Sequence, residues 1–303
     1  SIIYASLLSS SHAADGGSIL SGEWQSTMQT VSFDISPTNV GCTEEQIQAN
    51  ECDFDEIQSS ITSSYKINIQ QTEVPEGLFY SLIPFHYNYT DDKDYSRYPM
   101  SNVTYAEAAL FANILSQVTG KGLCYSIESD KHSDCLNGLQ TLKILNNYRY
   151  GDVSSTLVKS CKELFSNRDL SVTLAKSDCT GWRLPTENEW EFIAQKIKTI
   201  SKQTTHYADS HSKNSNNEID AKTRRVTDGS PDPNGLYNFY GNVWEWTNTP
   251  YSVDREEKEY SNLYSVRGGC YLDSEKAMRS TNRYAYPKDQ GWSCLGLRLL
   301  YSN

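Results

Sequence analysis

"GWRLPTENEWEFIAQ", Gly181–Gln195, writes the start of a helix and its buried face into fifteen residues. Thr186 and Glu189 have capping-box spacing, and Trp190, Ile193 and Ala194, continued by Ile197 and Ile200, fall on one side of a 3.6-residue period. Upstream, "TYAEAALFANILSQVTG" from Thr104 repeats the pattern. Thr104 and Glu107 make the box, Ala108, Phe111, Leu115 and Val118 the stripe, and Gly120 the stop. Earlier still, "SYKINIQQTEVP" from Ser64 alternates as a strand with Tyr65, Ile67 and Ile69 on one face, and a short helix follows from Pro75. The expected class is α+β, with two main helices packed on short antiparallel strands.

The flanks are less regular. Residues 1–23 are rich in Ser, Ala and Gly and read as a leader or flexible arm, with Ala13 and Ala14 placed like the end of a secretory signal. The globular part is expected over 24–303. The polar run from Ser210 reads as a loop, and from Asn234 onward Gly, Trp and Tyr crowd short strand-like pieces.

With 38 acidic against 27 basic residues the net charge is −11, which repels a phosphate backbone and argues against nucleic acid as a partner. No stretch approaches the roughly 20 apolar residues that cross a bilayer, so any membrane attachment would need an external anchor. The eight cysteines form no C-x-x-C pair, which favours disulfides in an oxidising compartment: extracellular, cell-surface or periplasmic. Cys42 and Cys52 suit a local loop, and Cys124, Cys135, Cys161 and Cys179 are expected to pair among themselves. Cys270 and Cys294 are left as a disulfide or a pair of thiols. Asn88 and Asn102 begin N-x-T glycosylation patterns.

In "NFYGNVWEW", Asn238–Trp246, glycine 241 admits a backbone other residues avoid, and Glu245 sits between two tryptophans. The oxygens of Asn238, Gly241, Val243 and Glu245 could together supply hard ligands to calcium. The alternative for the same side chains is that Asn238 caps a turn and Glu245 meets an arginine.

Gly181–Gln195, "NGLYNFYGNVWEW" from Asn234, "VRGG" from Val266 and "GLRL" from Gly296 occur in order. Together with the strand and helix blocks upstream, they resemble the formylglycine-generating enzyme and sulfatase-modifying factor family, a variant of the C-type lectin fold. The resemblance covers roughly Trp24 to Asn303. It implies a structural calcium at Asn238, Gly241, Val243 and Glu245. It also implies, for the family's enzymes, a copper-holding thiol pair shortly after the Gly-Gly of the last block. Those two positions hold Asp273 and Met278, so no copper and no enzyme of the family's usual kind is expected. Histidines 12, 86, 132, 206 and 211 lack ligand spacing, and no Gly-x-Ser-x-Gly elbow is present. The competing possibility is an oxidase of peptide cysteine that uses thiols placed differently, Cys270 and Cys294.

The last 35 residues then divide. Arg267, Gly268, Gly269, Arg279, Arg283, Pro287, Gly296 and Arg298 match the family frame. Between them lie Tyr271, Leu272, Asp273, Ser274, Glu275 and Lys276, then Tyr284, Ala285 and Tyr286, then Lys288, Asp289, Gln290, Trp292 and Ser293. They have no period and mix large aromatics with charges, the composition of a binding surface for a protein or glycan. About half of these aromatics are expected in the interior. A lectin-type frame with its ligand-facing segment at the C terminus is similar to the variable proteins of diversity-generating retroelements, which implies a displayed, diversified, non-catalytic binding site.

Overall fold

The strand expected from Ser64 is β4 (Tyr65–Gln70), and it becomes the middle of a sheet because both its neighbours come from far away in sequence. β1 (Thr30–Ile35) pairs antiparallel with it, Phe33 opposite Ile67, and β11 (Leu300–Ser302) pairs on its other edge, Leu300 opposite Ile69. β11, near the C-terminal end, thus closes the sheet that β1 opens, and both faces of β4 are buried from Ile67 onward. This computed structural model describes residues 24–25, 27–86, 96–149, 151–174, 179–197, 205–208, 222–255 and 262–303. The expected leader 1–23, the Asn88 sequon and most of the polar run from Ser210 lie outside them.

Two small elements precede β4. β2 (Thr38–Val40) pairs with β3 (Ser59–Ile61), and between them a capped turn of helix, α1 (Glu44–Gln48), sits in the loop closed by the Cys42–Cys52 disulfide. After β4, Pro75 stands at the N-cap of α2 (Glu76–Leu82). The helix from Thr104 is α3 (Tyr105–Val118), with both arms of its capping box made: the Glu107 N–H donates to Thr104 Oγ1 at 3.2 Å, and the Thr104 N–H to Glu107 Oε2 at 2.7 Å.

One expectation about α3 is overturned. Instead of a stripe, every residue from Tyr105 to Ser116 is buried. The cause is the segment between Cys124 and Cys179, which folds over the helix as β5 (Tyr125–Glu128), α4 (Ser133–Gln140), α5 (Lys143–Arg149), α6 (Ser155–Ser166) and β6 (Ser171–Leu174). Cys124–Cys179 staples the ends of this unit and Cys135–Cys161 ties α4 to α6. The four cysteines therefore do pair among themselves, in a nested arrangement.

The opening motif forms α7 (Glu187–Ala194), capped by Thr186 and Glu189. It stops sooner than its apolar stripe suggests. The Ala194 carbonyl accepts from the Tyr240 hydroxyl at 3.0 Å and from the Ile197 N–H at 3.0 Å, so Ile197 returns to the core through a turn. Ile200 lies outside the described residues. Trp190 stacks on Phe239 with centroids 4.7 Å apart, joining α7 to the glycine-rich turn before β7 (Trp244–Pro250).

A second sheet carries the C-terminal segment. Its order is β10 (Leu295–Gly296), β7, β8 (Leu263–Arg267), β9 (Arg283–Pro287). β7–β8 and β8–β9 are antiparallel, whereas β10 runs parallel to β7, so the strands are not all antiparallel as expected. No helix among the described residues is long and apolar enough to cross a membrane.

Candidate functional site

The chain leaves β8 at Arg267 through Gly268 and Gly269, both at positive φ (104° and 75°), a pair of left-handed positions that residues with a Cβ rarely occupy. Cys270 follows, bonded to Cys294 and buried with it. The disulfide therefore brackets residues 271–293, closing at its base the whole segment singled out in the sequence. All eight cysteines are in disulfides.

Struts hold this loop from beneath. Asp273 Oδ2 accepts from the Cys270 N–H and from Trp244 Nε1, each at 2.8 Å, and the Tyr271 N–H donates to the Asn242 carbonyl at 3.0 Å. A 3₁₀ turn, Glu275–Ala277, then sends Met278 into the core. Arg267 donates to the carbonyls of Ser280 and Thr281 at 2.7 and 2.9 Å, and Arg279 donates to Asp53 Oδ2 at 2.9 Å and also meets Glu56. Arg283 grips Glu187 with two bonds of 2.8 Å. Beyond β9, the Tyr105 N–H donates to the Lys288 carbonyl and the Asn102 N–H to the Trp292 carbonyl, both at 3.0 Å.

The side chains between these struts reach the surface. Leu272, Ser274, Glu275, Lys276, Tyr284, Asp289, Gln290 and Ser293 are exposed, while Tyr271, Asp273, Ala285, Tyr286, Lys288 and Trp292 are half-buried. The aromatics are less sunken than expected, since none of the four is interior. They lean on one another and on the strands: Tyr286 stacks with Trp292 (centroids 5.9 Å, 12° between planes) and meets Trp246 edge-on, and Tyr284 rests 5.9 Å from Trp244. Burial, with Tyr284 alongside, raises the Tyr286 phenol above its ordinary value, so the face presents a neutral O–H at pH 7. Asp273 departs from the expected role. Its carboxylate is a strut that fixes the turn and anchors Trp244.

Of the expected calcium ligands, the side chains of Asn238 and Glu245 are already engaged by other groups. Glu245 is buried with both oxygens engaged, Oε1 accepting from Arg298 Nε at 2.8 Å and Oε2 from Trp190 Nε1 at 2.9 Å. Asn238 Oδ1 accepts from Arg224 Nε at 2.7 Å, and its carbonyl faces Arg298. Two guanidinium groups thus occupy the atoms a divalent cation would need, and their charge opposes it. Of the two readings of this turn, Glu245 meeting an arginine is the one whose bonds are made here.

The same turn buries a second acid. Glu73 Oε1 accepts from Asn242 Nδ2 at 2.8 Å, and Oε2 lies 4.0 Å from Arg298 Nη2. Burial pushes the carboxyl up to about 7, against the pull of Arg298 and with Glu245 adding to the rise. A carboxyl raised in the folded state favours folding while protonated. Its contribution is complete below the unfolded value near 4.3 and is lost as pH climbs through about 7. Glu73→Gln should therefore remove a decline in stability between about pH 4.5 and 7 and leave the variant about 2 kcal/mol more stable at pH 8. Urea midpoints measured across that range test this, and an unchanged slope refutes it.

What the sequence did not reveal is the packing of residues 53–56 along 279–283. The Thr281 hydroxyl donates to Glu56 Oε2 at 2.6 Å and Arg283 Nη1 to the Asp55 carbonyl at 2.9 Å, contacts more than 220 residues apart in the chain. The acid run 51–56 was its only trace.

Comparison with known proteins agrees with this architecture. The family described as "Sulfatase-modifying factor enzyme 1-like domain" matches residues 16–303. Similar folds include Treponema denticola variable protein 1 (21% identity, TM-score 0.62, covering 90% of this chain and 95% of that one). CarF (19%, 0.56, 91% and 99%) and PvdO from Pseudomonas aeruginosa (16%, 0.55, 91% and 92%) share it too. At such identities the likeness shows the fold alone. Serine/threonine-protein kinase pkn1 of Chlamydia pneumoniae is 32% identical over an alignment of 115 residues, and the match covers 34% of this chain and only 18% of that protein. With the match running along nearly its whole length, the chain belongs to the sulfatase-modifying factor enzyme 1-like family.

Proposed function

We propose that the protein binds a macromolecular ligand through residues 271–293 and performs no bond-making chemistry there. The observation that carries this reading is the division of labour within one disulfide-closed segment. Arg267, Arg279, Arg283 and Asp273 tie the loop from below, and the remaining residues put aromatic rings and short polar groups at the surface. Rigid rings supply contact area at low entropic cost, and Ser, Gln and Lys supply adaptable hydrogen bonds. Cys270 and Cys294, the thiols an alternative oxidase would need, are bonded to each other and buried. Four disulfides favour an oxidising location, secreted or on a cell surface. The similar fold of a protein named as variable supports a diversified segment.

Comparison of independent isolates is the test. Substitutions should concentrate at Tyr271, Leu272, Ser274, Glu275, Lys276, Tyr284, Gln290 and their surface neighbours, leaving the arginines and glycines unchanged. An even spread of changes, or stoichiometric copper binding by the purified protein that Cys270→Ser abolishes, would overturn the reading in favour of a fixed surface or an oxidase.

A further inference from the structure

Cys52 is half-buried, whereas the other seven cysteines are interior. Its bond to Cys42 also encloses the shortest span, a separation of 10 residues against 24, 26 and 55 for the other three disulfides. Both features mark the bond that a reductant opens first. Exposure admits the attacking thiol, and a short loop returns little stability to the fold, so the fold in turn protects this bond least.

The bond is the tether of its loop, because α1 inside it buries no residue. Directly after Cys52 the chain meets the C-terminal segment. Asp53 Oδ2 accepts from Arg279 Nη2 at 2.9 Å, the Asp55 carbonyl from Arg283 Nη1 at 2.9 Å, and Glu56 Oε2 from the Thr281 hydroxyl at 2.6 Å, with Glu56 Oε1 against Arg279. Cys42 reaches the same acid from its own side: its N–H donates to the Glu56 carbonyl at 2.8 Å, and its Sγ lies 3.7 Å from Glu56 Oε2. Residues 279–283 are thus held between Arg267, which binds the Ser280 and Thr281 carbonyls, and a strap whose ends one disulfide joins.

We propose that Cys42–Cys52 is a redox-sensitive clamp on residues 279–283, closed when oxidised and slackened by a dithiol. A thiolate of the dithiol attacks the Cys52 sulfur, and the Cys42 sulfur leaves and takes up a proton. The dithiol's second thiol then displaces Cys52 from the mixed disulfide. Two electrons pass to the protein, which ends with two thiols while the reductant ends as a disulfide. Freed of the bond, the 43–54 loop regains conformational entropy that its unburied helix does nothing to offset. The Asp53–Arg279 pair, the more exposed of the contacts, gives way first, and the hold of Glu56 on Arg279 and Thr281 loosens behind it. The effect on recognition rests on the binding reading of residues 271–293; the loosening itself does not.

The test titrates the native protein with dithiothreitol, then alkylates and maps the freed thiols. Hydrogen exchange is followed in the partly reduced protein and in a double variant, Cys42→Ala with Cys52→Ala. Cys42 and Cys52 are expected to label at about a tenth of the reductant needed for the other six. The amides of Ala277, Met278 and Asn282, all bonded within the segment, are expected to exchange about fivefold or more faster, while β4 keeps its protection. Labelling of any other pair first, or unchanged rates at these three amides once Cys42 and Cys52 are free, would overturn the clamp. Wild type reduced in place is read beside the variant, so a variant that does not fold leaves the test intact. Neither adverse result touches the binding reading, and an even spread of changes among isolates would remove that reading while leaving the loosening in place.

Discussion

Arg267→Met should destabilise the protein by about 3 to 5 kcal/mol, the range for removing one partner from a buried ion network. Arg267 has no solvent exposure and does two jobs with one guanidinium. Nη2 meets Glu191 Oε2 at 2.6 Å with Glu187 Oε1 3.6 Å from Nη1, and the same nitrogens hold the Ser280 and Thr281 carbonyls. Arg255 and Arg283 remain to pair the two glutamates, so the acids are not orphaned outright. The two carbonyls are, and with them the return of the C-terminal segment toward β9. Arg267→Lys should recover only part of the loss, because an ammonium cannot match the planar fork that serves carboxylate and carbonyls together. Equilibrium denaturation of both variants is the measurement, and a loss below about 1 kcal/mol for the methionine would show that the network is dispensable.

The same network sets the response to acid. Burial alone would raise the Glu187 carboxyl, but Arg267, Arg283 and Arg255 together hold it below its ordinary value; for Glu189, Arg183 and the Thr186 cap outweigh burial in the same way. A carboxyl lowered in the folded state contributes stability that is present above the unfolded value near 4.3 and lost as pH falls through the folded one. Wild type should therefore weaken below about pH 4.3, and Arg267→Met should show a shallower acid limb. This window is distinct from that of Glu73, whose raised carboxyl acts between about 4.5 and 7.

The parts of this fold that could be read from sequence are those whose cause lies within a few residues. Thr104 with Glu107 and Thr186 with Glu189 announce helix starts because a capping box is a four-residue object. Ile67 and Ile69 announce a strand because alternation is local, and Cys42–Cys52 closes over only ten residues. The burial of α3 on every side depended on a helical unit sealed by Cys124 and Cys179, which no period in the helix itself records. The residues around Glu245 left open whether it meets an arginine or a metal, because its partner, Arg298, arrives from 53 residues away. The surface positions of residues 271–293 were legible for a different reason. Charges such as Glu275, Lys276 and Asp289 cannot be buried unpaired, so they fix the side on which their loop meets water.

Replacing Cys270 and Cys294 together by alanine should cost about 3 kcal/mol, the loop-closure entropy expected for a bridge of this span. The sequence separation is 24, and both residues are fully buried, so alanine, which adds no polar group to the interior, is preferable to serine. The loss should be concentrated in the segment the bond encloses. Trp244 still donates its N–H to the Cys294 carbonyl at 2.7 Å and Arg267 still holds Ser280 and Thr281, so β8 should stay protected while amides in 271–282 and 288–293 exchange faster. A closure term of this kind depends on the number of residues enclosed and not on which they are. The same cost should therefore appear when Leu272, Ser274, Glu275, Lys276 and Gln290 are all alanine, the two sets of changes adding without coupling. Strong coupling would mean that the exposed side chains themselves hold the loop in place, and a segment of that kind could not tolerate exchange of its surface residues. Additivity is what a binding surface open to substitution requires: stability lodged in the staple and the arginines, recognition in the side chains between them.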